Sequence, residues 1–112
     1  MSSTYLQLKP AQQGRFQELL EPIETDLASR DGVVALSFGG SPACGTARTL
    51  AVWRDEAAMF AFVTGEAHSA AVSAIDELSR GGSVVTHWAG DESSATWEAA
   101  AAQLAADDGP TY

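Results

Sequence analysis

Residues 49–63 read Thr49-Leu50-Ala51-Val52-Trp53-Arg54-Asp55-Glu56-Ala57-Ala58-Met59-Phe60-Ala61-Phe62-Val63. The period of this stretch changes at its middle. Up to Arg54 the chain alternates, with Leu50 and Val52 on one side and Ala51 and Trp53 on the other, as a half-buried strand requires. Asp55 then stands as a helix N-cap, and Glu56 beside it suits the positive end of the helix dipole. Beyond it Met59, Phe62 and Val63 fall on one helical stripe. A strand running straight into a capped helix is half of a β-α-β unit.

Working back, Val33 to Phe38 is a β-branched and aromatic run that pairs with the 48–54 strand as a hairpin. The turn-rich stretch Gly39-Gly40-Ser41-Pro42-Ala43-Cys44-Gly45 is the connection. Earlier still, Phe16, Leu20, Ile23 and Leu27 form one helical stripe, in which Pro22 predicts a kink or two short helices. Thr4 to Lys9 alternates around Leu6 and Leu8 and is the first strand. Working forward, Gly65 predicts a break, after which His68, Ala71, Val72, Ile75 and Leu78 resume the stripe up to Gly81-Gly82, a left-handed cap. Ser83 to Ala89 is the fourth strand. Caps at Asp91 to Ser94 precede a last helix whose narrow apolar face is Trp97, Ala100, Ala101 and Leu104, stopped by Asp107-Asp108-Gly109-Pro110.

The order β-α-β-β-α-β with an extra C-terminal helix is a ferredoxin-like α+β fold: one four-stranded antiparallel sheet with its helices on one face. The expected organisation is a single domain over residues 1–106 and a short tail at 107–112. Valines and aromatics lie on both faces of strands two to four. A second copy of the chain is therefore expected over the free face, making a homodimer.

With 112 residues, 46% of them hydrophobic and 19% charged, the chain holds a core without disulfide or metal staples. Six basic residues stand against fifteen acidic ones, a net charge of −9, and the arginines are scattered singly. Nucleic acid and anionic membrane surfaces are thereby excluded as partners. There is no signal-peptide pattern and no eighteen-residue apolar run, so a cytoplasmic location is expected. The lone Cys44 forbids an internal disulfide and any cysteine-built metal site. Without a flavin, nicotinamide or phosphate-binding fingerprint, and with no metal-ligand spacing, neither cofactor nor metal is expected.

His68 carries two readings. One is a core histidine bonded to a backbone carbonyl; the other is a pocket histidine, neutral near pH 7 and available as a base. His87 shares its side of the strand with Val85 and reads as a surface or dimer-face imidazole. Phe38, Trp53, Phe60, Phe62 and Trp88 serve either as core or as walls for a flat ligand.

The stretch 49–63 followed by Ala67-His68 resembles the central segment of the dimeric α+β barrel superfamily. That group has a strand ending in Trp, an acidic-capped helix with an aromatic stripe, and a His about as far beyond the Trp as His68 lies beyond Trp53. It includes antibiotic-biosynthesis-type monooxygenases, heme-degrading monooxygenases and uncharacterised branches. The resemblance implies a small oxygenase-like enzyme that oxidises a flat or aromatic organic molecule without a cofactor, in a pocket between sheet and helices. His68 would be its catalytic base, and Trp53, Phe38, Met59, Phe62 and Val72 would bind substrate. Departures exist: the heme-ligand position falls near Val72, and the asparagine that specific members use near the first strand is absent, with Gln7 nearby. The rival expectation is a non-enzymatic binding or structural dimer of the same fold; heme binding through His68 ranks below both.

Overall fold

In the computed structural model, which describes residues 1–109 and 111–112, the chain forms β1 (Ser2–Gln7), α1 (Gln13–Ala28), β2 (Val33–Ser41), β3 (Thr46–Trp53), α2 (Glu56–Val63), α3 (Glu66–Ser73), α4 (Ile75–Leu78), β4 (Val84–His87) and α5 (Trp97–Ala106). The strands make one antiparallel sheet in the order β2-β3-β1-β4. This is the ferredoxin-like arrangement that the element order implies. Among the described residues no helix is long and apolar enough to cross a membrane.

Register fixes what each side of the sheet carries, because paired residues of antiparallel strands point the same way. One row runs Leu36, Ala51, Ser2, His87, and the next Phe38, Thr49, Thr4, Val85. Leu6, Leu8 and Ala47 continue this side and pack with Phe16 and Leu19 of α1 and with Ala74 and Leu78. That is the core. The opposite side carries the rows Ser37, Leu50, Ser3, Thr86 and Gly39, Arg48, Tyr5, Val84.

The second side is not bare. α5 lies across it against β1 and β4, which corrects the expectation that every helix packs on one face. The segment after β4 makes the crossing. Trp88 donates its N–H to the Met1 carbonyl at 2.9 Å, and Ser94 Oγ reaches Met1 Sδ at 3.7 Å. Thr96 then caps α5, accepting the Ala99 N–H at 3.1 Å. Ala100, only 1% exposed, is the point of closest packing. Past α5, the Tyr112 N–H donates to the Ser83 carbonyl at 3.0 Å and the Ser83 N–H to the Tyr112 carbonyl at 3.1 Å. Pro110, assigned above to the helix stop, lies outside the described residues.

Other boundaries differ for local reasons. α1 runs unbroken through Pro22; Pro22 is exposed, so the Glu18 carbonyl it leaves unpaired can face water. β2 continues through Gly39 and Gly40 to Ser41, pairing with Arg48, Ala47 and Thr46, and the connection shrinks to Pro42–Gly45. The break at Gly65 is present, with Gly65 as N-cap of α3. A second break at Ala74, unforeseen, separates α3 from α4. Gly81 (φ 102°) and Gly82 (φ 78°) are left-handed, but they turn the chain into β4. The helix end itself is taken by the extended Ser79.

Candidate functional site

Three of the residues singled out from sequence meet on the helix side. Trp53 at the end of β3 packs on Phe62 of α2 with ring centroids 5.4 Å apart, and Phe62 meets His68 of α3 edge-on at 5.0 Å. Trp53 Nε1 donates to Ser2 Oγ at 2.9 Å, which fixes the indole. The Arg30 guanidinium sits 5.8 Å from the Phe62 centroid. Met59 is buried beside them on α2. Phe38 does not join; it is 44% exposed on the edge strand β2. Val72 does not join either, at 52% exposed: within α3 the half-buried residues are Ala67, His68 and Ala71, and Val72 lies about 100° round the helix from Ala71.

The His68 ring has a defined protonation pattern. Nδ1 lies 3.1 Å from the Val63 carbonyl oxygen. A carbonyl only accepts, so Nδ1 carries the hydrogen and Nε2 is the open acceptor of the neutral ring. Burial pushes the imidazole below its ordinary pKa, and the carbonyl bond pulls back more weakly. His68 is thus neutral at pH 7. The same bond has a structural purpose: α2 stops at Val63, and the last carbonyls of a helix lack intrahelical donors. His87 stands apart, against Phe60 at 6.3 Å. Residues two apart diverge by about 200° around a helix, so the two imidazoles flank α2 on different sides and share no site.

The heme-ligand position of the resemblance supplies no ligand here: Val72 has no donor atom and faces outward. Among the described residues no three His, Cys, Asp or Glu come together to hold a metal ion.

A cavity lies on the other side of the sheet. Between α5 and the strands is a space of about 300 Å³, floored by Ser3, Tyr5, Arg48 and Val84 and roofed by Trp97, Ala100 and Leu104. Ala101 and Ala105 complete its rim. Its position follows from sequence. Tyr5, Arg48 and Val84 form one register row, and α5 presents alanines where larger side chains would fill the gap. Trp97 braces one end, with the Arg48 guanidinium 4.7 Å from its ring centroid. A Cβ at Gly39 would lie 3.5 Å from the same indole. Tyr5, Arg48 and Trp97 were not singled out as site residues. The signal that could have found them is the outward row of the first and third strands beneath a helix face made of small residues.

No family model matches the chain, and no curated protein does. Solved structures do. Rv0793 from Mycobacterium tuberculosis is similar over 81% of this chain and 94% of its own, with a TM-score of 0.70 at 17% identity. A conserved protein from Methanosarcina mazei Go1 aligns over 80% and 90%, with a TM-score of 0.70 at 12% identity. A protein named antibiotic biosynthesis monooxygenase aligns over 80% and 96%, with a TM-score of 0.69 at 15% identity. The chain therefore has the ferredoxin-like α+β fold of the antibiotic biosynthesis monooxygenase-like proteins, as the stretch from Thr49 to His68 implied.

Proposed function

We propose that this chain uses a monooxygenase-like fold to bind a flat organic molecule in the space between the sheet and α5. The observation that carries the reading is the cavity of about 300 Å³ with apolar and aromatic walls and few polar groups. That size is at the lower end for small-molecule sites and suits one or two fused rings. The test is a filling variant. Ala101→Leu adds bulk at the rim, where Ala101 is exposed, so the fold should stand while the space shrinks. Neutral 2-naphthamide should raise the melting temperature of the wild type and not that of Ala101→Leu. Equal shifts in both proteins would place the ligand elsewhere.

Cofactor-independent oxidation is a second reading, favoured by the free Nε2 of a neutral His68 beside Phe62 and Trp53. There Nε2 would take a proton from an electron-rich substrate, whose anion reacts with dioxygen. His68 and the α5 cavity lie on opposite sides of the sheet, so the two readings compete. Oxygen uptake with an oxidisable naphthol, lost in His68→Gln and kept in Ala101→Leu, would favour oxidation. A second copy of the chain, expected from sequence over the free sheet face, would seat instead on β2, where Val34 and Phe38 are exposed, because α5 covers part of that face.

A further inference from the structure

Six cationic side chains are present in the sequence, and five of them have visible polar partners. Arg15, Arg30 and Arg54 face Glu77, Asp26 and Asp55. Arg80 donates to the carbonyls of Leu8 and Cys44, and Lys9 to that of Asp76. Arg48 is the exception: among the described residues its guanidinium has neither a carboxylate nor a hydrogen-bond acceptor. It lies over the Trp97 ring at 4.7 Å and lines the cavity. Among the described residues no carboxylate lines that cavity and none pairs with Arg48, although the chain as a whole carries −9.

We propose that the cavity selects planar aromatic molecules bearing one anionic group, with Arg48 as the anchor. The inference rests on the cavity being the ligand site. The parts divide the work by chemistry. The fork of guanidinium N–H donors matches a carboxylate in bidentate geometry. Trp97 holds the cation against its ring, 4.7 Å from the centroid, and among the described residues no hydrogen bond occupies the guanidinium N–H donors, which leaves them for an anion. Tyr5, cross-strand partner of Arg48, offers a phenolic donor beside it. The ring system would lie along Val84, Ala100 and Leu104, the apolar part of the lining. A phosphate monoester fits less well, since it would lose strong hydration to walls that return one cation and few donors.

The test pairs 2-naphthoate with its neutral isostere 2-naphthamide in calorimetric titrations of wild type and Arg48→Gln. Wild type should bind the carboxylate about tenfold or more tighter than the amide, the scale of a hydrogen bond to a charged group. Arg48→Gln should lose that preference: 2-naphthoate should fall to the affinity of 2-naphthamide in the same variant, whatever the lost Trp97 contact costs both probes together. Equal affinities in wild type, or a preference that survives in Arg48→Gln, would overturn the anchor. If wild type binds neither probe, the cavity reading itself fails. If Arg48→Gln binds neither because α5 has loosened, Arg48→Lys decides: a retained preference supports the anchor and equal binding overturns it.

Discussion

His68 seals the junction between α2 and α3 and keeps a neutral ring against Phe62. Its depressed pKa sets a sign. The unfolded chain takes up a proton at the ordinary value of about 6.5, and the folded chain only below that. Stability linked to this group is therefore present above pH 6.5 and is lost as pH falls from there through the lowered folded value. Urea melts between pH 7.5 and 5 should show His68→Gln losing less stability on acidification than wild type; identical pH slopes would contradict the half-buried neutral ring. At pH 7.5 His68→Ala should cost about 1 kcal/mol, since water can reach the exposed Val63 carbonyl and replace part of the lost bond. Trp53, Phe62 and His68 were legible as a group because strand alternation and helix phase place them together. Val72 is misplaced in the sequence reading because the stripe is drawn too wide: α3 turns Ala67 and Ala71 inward, and Val72, about 100° round from Ala71, faces solvent.

Among the elements, α5 departs furthest from expectation. Ten residues are too few for a helix to persist on its own in water, so it depends on the Thr96 cap, on Trp97 over Arg48 and on buried Ala100. Thr96→Ala should cost about 1 kcal/mol in a urea melt and should weaken 2-naphthamide binding, because the cavity roof hangs from that helix. A variant as stable as wild type would show the cap to be idle. Asp55 does the same task for α2, accepting the Ala58 N–H at 2.8 Å, and that cap was readable because Asp55 and Glu56 directly follow an alternating strand. The helix of residues 97–106 was readable too. Its side of the sheet was not, since the choice depends on how the chain crosses Met1, a contact between opposite ends of the sequence.

For the molecule as a whole, the strand order β2-β3-β1-β4 followed from the element order, because a β-α-β-β-α-β chain with right-handed crossovers has few other antiparallel solutions. The cavity did not follow, being made by the one helix outside that pattern. α5 covers the β1 and β4 half of the sheet side that a second copy was expected to occupy. The partner proposal therefore moves to β2, an edge strand with Val34 and Phe38 exposed, the kind of edge that invites pairing. Sedimentation velocity at tens of micromolar should give a dimer, weakened by Phe38→Ser; a monomer would remove the partner. The central claim is the location of the ligand site, and methyl-resolved NMR titration with 2-naphthamide tests it most directly. Shifts should concentrate on Val84, Ala100, Ala101 and Leu104, with Met59, Ala67 and Ala71 unmoved. Shifts gathered around Met59, Ala67 and Ala71 instead, on the His68 side of the sheet, would contradict it.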